Sequence, residues 1–225
     1  MKKEEDAIIR MFHVHKHFNS KPALIDITID LFKNDFIFLT GPSGAGKSTL
    51  LKLLYLGESI SEGQVLIDGM NLARISRRSA PLLRRKLGII FQDYKLIPSK
   101  TVYENISLVL EARGLKKRFI QKKVHSVLRI VGMEERQKSF PLSLSGGEQQ
   151  KVAVARAVVG DPKIILADEP TGSLDAESAG IIFNLLKTFH RRGATVVFAT
   201  HDTSLLHEKN TQTVHINKGR IDTIT

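Results

Sequence analysis

The sequence predicts an α/β fold in which a mostly parallel central sheet is joined by an N-terminal antiparallel β part and an inserted helical segment. Two apolar runs, residues 36–40 and residues 164–167, predict the parallel sheet. Strands without a polar face are typical of parallel sheets, because helices cover both sides. A third observation predicts the antiparallel part: residues 25–31 alternate isoleucine or leucine with aspartate or threonine, which leaves one face of the strand wet.

The first elements of the chain are short strands. Residues 8–12 predict one strand. Histidines alternate with other residues directly after it, which indicates a polar segment at the end of the strand and no metal site. Residues 25–31 predict the antiparallel strand. A turn at residues 33–35 then leads into the apolar strand of residues 36–40.

The loop after this strand fits G-x-x-x-x-G-K-[S/T], the phosphate-binding motif of nucleoside triphosphatases. Its members are Gly41, Pro42, Ser43, Gly44, Ala45, Gly46, Lys47 and Ser48, followed by Thr49. Glycine lets the backbone approach a phosphate closely, and the amides at the start of the following helix attract an anion. Lys47 adds a positive charge, and the Ser48 hydroxyl is a hard oxygen ligand suited to Mg²⁺. The loop therefore predicts a site for a nucleoside triphosphate.

Two further strands and a long helical stretch follow. Residues 65–67 and residues 87–91 predict strands, and the second of them ends at Gln92. From residue 93 to residue 143, apolar residues recur at helical spacing and no strand pattern occurs. We therefore expect one domain over residues 1–225, with residues 93–143 as a helical subdomain inserted between two strands of the sheet.

The next helix begins with Ser145, Gly146, Gly147 and Glu148, a sequence that predicts a capping box of Ser145 and Glu148. The two glycines leave the backbone amides uncovered, so this is a second helix start suited to an anion. An ordinary capped helix start would explain the same four residues.

The later strands again end in polar residues. Residues 164–167 are followed by Asp168 and Glu169, and residues 195–199 are followed shortly by His201. Ligands bind at the carboxyl ends of strands in open α/β sheets. Asp168 is therefore a candidate for holding Mg²⁺ through water, and Glu169 is a candidate base for an attacking water. The remaining elements are a helix at residues 176–191 and a terminal hairpin from residue 213.

Composition excludes several classes of protein. There is no cysteine, so the chain has neither a disulfide framework nor a thiolate site. The first residues lack the apolar core of a secretory signal. No apolar run approaches the ~18 residues that are needed to span a bilayer. We therefore expect any membrane role to come through a partner.

The charge is strongly basic, with a formal net charge of +11. Two clusters, at residues 74–86 and residues 113–123, each contain six basic residues and no acidic one. Such clusters suit nucleic acid, an anionic membrane surface or an acidic partner, while a solvated helix face explains each cluster as well. We expect no nucleic-acid partner. No aromatic residues interleave at stacking intervals, which argues against binding of single-stranded nucleic acid.

The chain resembles the ABC-type ATPases over nearly its whole length. The resemblance rests on motifs in the order and spacing typical of that family: residues 41–48, Gln92, residues 144–149, residues 164–169, residues 173–175 and His201. The Ser-Gly-Gly motif at residues 145–147 separates the family from other phosphate-loop proteins. The resemblance implies an ATP-dependent, head-to-tail homodimer in which each nucleotide lies between the phosphate loop of one copy and the Ser-Gly-Gly helix start of the other.

The resemblance also implies roles for individual residues. Those that would contact ATP are Phe18, the phosphate loop from Gly41 to Thr49, Ser145, Gly146, Gly147, Glu148 and, at the dimer seam, Asp175. Those that would surround Mg²⁺ are Ser48, Gln92 and Asp168, and those that would act in catalysis are Lys47, Gln92, Glu169 and His201. Phe18 departs from the tyrosine that usually stacks on adenine in this family, so it keeps the ring and lacks the hydroxyl.

Within the family, residues 84–88, 91–97 and 101–105 resemble the FtsE group of bacterial cell-division ATPases. This implies an FtsX-like integral membrane partner, peripheral attachment to the cytoplasmic side of the inner membrane through that partner, and control of peptidoglycan hydrolysis. Lipoprotein-release and macrolide-export ATPases share most of these motifs and are the alternative. A nucleic-acid-associated ABC protein is a second alternative, which the single cassette disfavours, and a small-molecule kinase would have no use for the Ser-Gly-Gly motif.

Overall fold

The computed structural model describes residues 7–202 and 211–225. Within these ranges the elements in chain order are β1 (Ala7–Phe18), β2 (Lys21–Phe32), β3 (Phe36–Thr40), α1 (Lys47–Leu54), β4 (Glu62–Ile67), β5 (Met70–Asn71), α2 (Ala80–Arg84), β6 (Leu87–Ile90), α3 (Val102–Glu111), α4 (Lys117–Val131), α5 (Gly146–Val158), β7 (Ile164–Asp168), α6 (Ala176–Arg191), β8 (Thr195–Ala199), β9 (Gln212–Asn217) and β10 (Arg220–Ile224). Short 3₁₀ turns lie at Leu72–Arg74, Glu134–Arg136 and Pro141–Ser143.

The larger sheet has the strand order β10-β9-β3-β8-β7-β6. The pairs from β9 to β6 are parallel, and β10 runs antiparallel to β9 in the predicted terminal hairpin. In β3, Phe36 and Phe38 point into an apolar cluster formed with helices α3 to α6. Ile37 and Leu39 point to the opposite side, into a cluster formed with α1 and the N-terminal strands. Both faces of β3 are therefore buried, which explains its uninterrupted apolar sequence.

The smaller sheet is antiparallel, with the order β2-β1-β4-β5. In β2 the side chains of Ile27, Ile29 and Leu31 are buried, while Asp26 and Thr28 are exposed. This confirms the predicted alternation from Ile27 to Leu31. At the start of the predicted strand the alternation is wrong, since Leu24 is buried and Ile25 is only partly buried. Asp26, with a φ of +54°, shifts the pairing register there. The buried face packs into the same cluster as α1, so the antiparallel part covers one side of the larger sheet.

The first strand is longer than the sequence predicted. β1 spans 12 residues and ends at Phe18, whereas the prediction ended it at Phe12. A bulge at His13, whose φ is +46°, shifts the pairing register between Met11 and Val14. Such a bulge interrupts the alternation on which a strand prediction depends. The histidines that follow Phe12 therefore lie within the strand and not beyond its end.

Helices α3 and α4 occupy the stretch between β6 and β7 in which the sequence predicts helices. Their buried residues join one apolar cluster with α5 and α6. α3 begins at a capping box, in which the Thr101 hydroxyl accepts from the amide of Glu104 and the Glu104 carboxylate accepts from the amide of Thr101. Helix α5 contacts α3, α4, α6 and β6, so it links the helical segment to the sheet.

Helix α4 is amphipathic, with a buried apolar side and an exposed basic side. Ile120, Val124 and Leu128 are buried, whereas Lys117 and Lys122 are exposed. Across residues 7–202 and 211–225, no helix has both the length and the apolar character needed to cross a bilayer.

Candidate active site

The phosphate loop is shaped by its position between β3 and α1. Gly46 caps α1 with a φ of +115°, and neither a capping side chain nor an acidic residue occupies the first turn. The first amides of α1 therefore face a region that an anion would fill favourably. At Gly41, with φ +141°, an added Cβ would lie 2.0 Å from the carbonyl oxygen of Ile216, so the strand β9 fixes this position as glycine.

A cavity of about 300 Å³ opens over this loop. Its lining brings together predicted site residues from three separate parts of the chain: Ser43, Gly44, Ala45, Gly46, Lys47, Ser48, Thr49, Gln92 and Glu169, together with Ala23 of β2. Gln92 reaches the cavity because β6 ends at Ile90, and Glu169 reaches it because β7 ends at Asp168. Parallel strands thus deliver these side chains to one edge of the sheet.

Lys47 is the buried cation of the cavity, with 4% of the residue exposed. Its Nζ donates hydrogen bonds to the carbonyl oxygens of Gly41 at 2.7 Å and Pro42 at 3.2 Å. The same atom lies 3.7 Å from Oε1 of Glu169. The ammonium group is therefore held at the mouth of the loop by weak acceptors, which phosphate oxygens could replace.

Ser48 and Asp168 form a pair suited to a divalent cation. The Ser48 hydroxyl donates to Oδ1 of Asp168 at 2.9 Å. Burial raises the pKa of the Asp168 carboxyl, the Ser48 hydrogen bond lowers it, and the charge of Glu169 raises it again, with a net rise. This carboxylate is thus poorly compensated by its surroundings, and a cation would stabilise it. Hydroxyl, amide and carboxylate oxygens from Ser48, Gln92 and Asp168 are ligands that Mg²⁺ prefers, so the residues fit the metal.

Glu169 and His201 form a second pair beside the first. Nδ1 of His201 lies 2.9 Å from Oε2 of Glu169. Glu169 has a φ of +45°, which is unusual for a residue other than glycine, and its amide donates to the carbonyl of Ala199 on β8. Strained backbone of this kind is concentrated at functional sites. A second cavity of about 460 Å³ shares Glu169 with the phosphate cavity and is lined by Thr171, Gly172, Thr200 and His201 among others.

The other predicted site residues lie outside the lining of both cavities: Phe18, Gly41, Pro42, Ser145, Gly146, Gly147, Glu148, Asp168 and Asp175. Ser145 and Glu148 form the predicted capping box at the start of α5. Asp175 caps α6 by accepting from the amide of Ser178 at 2.8 Å, and this hydrogen bond lowers its pKa. An added Cβ on Gly147 would lie 2.8 Å from the Ser178 hydroxyl. The starts of α5 and α6 therefore meet.

Phe18 lies at the end of β1 and is 42% exposed. Nζ of Lys16 lies 4.7 Å from the centre of its ring and also donates to Glu58 at 3.0 Å. Lys16 is buried within β1. The ring thus has an ammonium group against it and still presents surface that could stack on a planar base.

Sequence reasoning missed three contributors to the site. Ala23 lines the phosphate cavity, and Thr171 lines the second cavity. The Pro170-Thr171-Gly172 turn directly after Glu169 could have indicated Thr171, because turn residues at a strand end face the ligand edge. Ala23 carries no such signal, since it reaches the cavity only through the packing of the smaller sheet against the loop. Lys16 was missed because its burial in β1 contradicts the usual exposure of lysine.

Three comparisons with known proteins bear on this site. A family model described as ABC transporter matches residues 24–172. The cell division ATP-binding protein FtsE of Streptococcus pneumoniae serotype 2 (strain D39) is 43% identical over 208 residues, which cover 92% of this chain and 90% of that protein. FtsE of Bacillus subtilis (strain 168) is 40% identical over 215 residues, covering 95% and 94%.

A similar solved structure is that of the ATP-binding cassette MJ0796 in a dimeric post-hydrolysis state bound to ADP and Pi. It has a TM-score of 0.88 and 31% identity, and the match covers 96% of this chain and 97% of that one. This similarity and the arrangement of the two sheets confirm the predicted fold class. The chain therefore belongs to the ABC transporter family, as an ATP-binding cassette similar to the FtsE cell-division proteins.

Proposed function

We propose that this chain hydrolyses ATP to ADP and phosphate as the nucleotide-binding subunit of an FtsE-like membrane complex. The observation that carries the proposal is the position of Glu169: its carboxylate contacts His201 at 2.9 Å and Lys47 at 3.7 Å where the phosphate cavity meets the second cavity. A base, a polar orienting group and a phosphate-directed cation are thereby assembled at one edge of the sheet.

In this function each side chain has a defined task. The first amides of α1 and Lys47 hold the β- and γ-phosphates. A water attacks the γ-phosphorus, the bond to the oxygen bridging to the β-phosphorus breaks, and Glu169 accepts the proton of the water. His201 keeps the Glu169 carboxylate oriented through its ring nitrogen and also contacts the γ-phosphate. Ser48, Gln92 and Asp168 would hold Mg²⁺, which supplies positive charge to the phosphates when bound.

The functional unit that we propose is an ATP-dependent homodimer. One chain provides the phosphate loop, and its partner provides the α5 start with Ser145, Gly146 and Gly147, while Asp175 lies at the seam. The proposal is supported by the position of α5: its start is a second helix N-terminus in the same chain, yet none of its first residues lines the phosphate cavity. The dimeric state of MJ0796 is consistent with such an arrangement. Phe18 would then stack on the adenine.

At the level of the complex, we infer an FtsX-like integral membrane partner and a role in cell division through control of peptidoglycan hydrolysis. The chain would be peripheral, on the cytoplasmic side of the membrane. The similarity to FtsE proteins from two species supports this role over lipoprotein release or macrolide export. We further propose that residues 93–143 form a helical subdomain inserted in the single domain of residues 1–225, since α3 and α4 lie between β6 and β7.

The enzymatic proposal is tested by the Glu169→Gln variant, with Glu135→Gln as its matched control. The control carries the same chemical change at an exposed residue of the 3₁₀ turn Glu134–Arg136, outside the lining of both cavities. We expect Glu169→Gln to bind ATP normally, to lose about a hundredfold or more in hydrolysis rate, and to run as a dimer with ATP in size-exclusion chromatography. Hydrolysis at the wild-type rate by Glu169→Gln would remove this residue as the base.

The cellular proposal is tested by capture from native membranes. The Glu169→Gln protein is loaded with ATP, used as bait, and its partners are identified by mass spectrometry. Recovery of an FtsX-like protein with four spans and an extracellular domain is the expected result. Recovery of a lipoprotein-release or efflux permease would keep the ATPase mechanism and overturn the role in cell division.

A further inference from the structure

The residues that follow β6 form a loop, residues 91–97, which we call the Gln92 loop. Asn105 of α3 holds its last residue, accepting from the amide of Ile97 at 2.8 Å and donating to the Ile97 carbonyl at 3.1 Å. A side chain from helix α5 holds its middle. Nη1 of Arg156 donates to the carbonyl oxygen of Lys95 at 2.6 Å, and Nη2 donates to that of Tyr94 at 2.7 Å. Arg156 lies in the last turn of α5. The planar guanidinium group suits such a two-point contact, which a lysine ammonium group cannot reproduce with the same geometry.

The loop needs such support because its backbone is strained. Tyr94 and Lys95 have φ values of +58° and +50°, so two successive residues other than glycine occupy the left-handed region. Each of these conformations is unfavourable alone and persists only where surrounding structure enforces it. The two carbonyl oxygens bound by Arg156 belong to these same two residues. Burial lowers the pKa of the Arg156 guanidinium, because removing the charged group from water is unfavourable.

A second contact joins the same loop to other motifs. The Tyr94 hydroxyl lies 3.3 Å from the Ser173 hydroxyl, just before Asp175. An added Cβ at Gly146 would lie 3.0 Å from the Tyr94 hydroxyl, so Tyr94 also lies against the start of α5. The Gln92 loop is therefore attached near both ends of α5, by Arg156 at one end and by Tyr94 at the other.

We propose that Arg156 and Tyr94 are positioning residues that hold the Gln92 loop on α5, so that Gln92 and the helix start at residues 145–147 move as one body. The loop carries a side chain that lines the phosphate cavity of its own chain. The α5 start would serve the nucleotide of the partner chain. A rigid connection between the Gln92 loop and the α5 start would transmit a movement at one nucleotide site of the dimer to the other site. The catalytic consequence of this inference rests on the proposed function. The attachment of the loop to α5 is independent of that function.

The experiment compares Arg156→Lys with Arg113→Lys. Arg113 is a matched control, because it also donates to two backbone carbonyl oxygens, those of Gly160 and Arg85, each at 2.6 Å. Its contacts lie away from the residues that line the phosphate cavity. Tyr94→Phe is the third variant and removes only the hydroxyl. The measurements are hydrogen–deuterium exchange of the nucleotide-free proteins, melting temperature, and kcat and KM for ATP.

For Arg156→Lys we expect faster exchange at the amides of residues 92–97 and about tenfold lower kcat, because a displaced Gln92 loses its geometry. We expect KM to change less than about twofold, since the phosphate loop is intact. Tyr94→Phe should show a smaller change in the same direction. Arg113→Lys should lower the melting temperature by about as much as Arg156→Lys does. Its kcat and its exchange at residues 92–97 should stay unchanged.

Two outcomes would overturn the inference. The first is unchanged exchange at residues 92–97 in Arg156→Lys. The second is an equal loss of kcat in Arg156→Lys and Arg113→Lys, which would show a general effect on stability. Absence of ATP hydrolysis by the wild-type protein would instead contradict the proposed function, and the exchange measurement would still test the attachment.

Discussion

At the scale of single residues, Asp168 shows how function and stability oppose each other. Its carboxylate is partly buried, has one hydroxyl donor at 2.9 Å and lies beside Glu169 in sequence. Its raised pKa means that the folded state holds a proton more tightly than the unfolded chain. Stability from this group therefore falls as the pH rises from 3.8 through the raised pKa of the folded state.

We predict that Asp168→Asn stabilises the metal-free protein and weakens Mg²⁺ binding. In a chelating buffer near neutral pH, the free energy of unfolding should rise by about 0.5–1 kcal/mol, within the usual range for one stabilising substitution. The reason is that asparagine removes the partly buried negative charge. The difference from wild type should shrink as the pH falls toward about 4, because the wild-type carboxyl then becomes neutral. Denaturant titrations at several pH values measure this. A variant less stable than wild type at neutral pH would contradict our reading of the site.

At the scale of secondary-structure elements, two helices begin with the same device. Thr101 and Glu104 form a capping box at the start of α3, and Ser145 and Glu148 form one at the start of α5. Each hydroxyl satisfies one amide of its own helix. In the proposed function only the capping box of α5 has a further task, because only the α5 start would contact the nucleotide of a partner chain.

The matched pair Thr101→Ala and Ser145→Ala separates these tasks. Both substitutions should lower the stability by about 1 kcal/mol through the lost cap. Only Ser145→Ala should also reduce the hydrolysis rate, by about tenfold, since it removes a hydrogen bond to a charged phosphate. Thermal melts and steady-state ATPase assays on both proteins give the answer. Equal rates in the two variants would count against a role for the α5 start at the nucleotide.

At the scale of the whole molecule, the two sheets place the site at a shared boundary. The phosphate loop follows β3 of the larger sheet, and Ala23 of the smaller sheet lines the same cavity. Helix α5 follows the helical segment, and the residues at its start are not part of that cavity's lining. A single chain thus holds both halves of the proposed nucleotide site but does not join them.

We therefore predict that the hydrolysis rate per chain depends on protein concentration. Below the dissociation constant of the dimer, the rate per chain should rise in proportion to concentration, and well above it the rate should be constant. Initial rates at saturating ATP over a wide range of protein concentration test this, with sedimentation in parallel. A rate per chain that is independent of concentration while the protein sediments as a monomer would place the complete site within one chain.

Much of this organisation was predictable, for reasons that particular residues illustrate. The strands β3 and β7 were predicted because burial on both faces leaves only apolar residues, and Asp168 was found because it ends such a strand. The role of Gln92, which follows β6, was predicted from the resemblance to the family. The length of β1 was not predictable, because the bulge at His13 depends on pairing with β2 and β4. The hydrogen bonds of Arg156 to the Gln92 loop could not be predicted from the sequence either, because their acceptors are backbone atoms 61 and 62 residues away.

The contact between Gly41 and strand β9 has a consequence in genetic terms. An alanine at residue 41 would meet the carbonyl oxygen of Ile216, an atom that every amino acid at position 216 possesses. No exchange of the side chain at 216 can make room, and the φ of +141° at Gly41 opposes alanine independently. A search for second mutations that rescue Gly41→Ala should therefore find none at its nearest neighbour. Restored growth would have to come from changes that move the whole terminal hairpin.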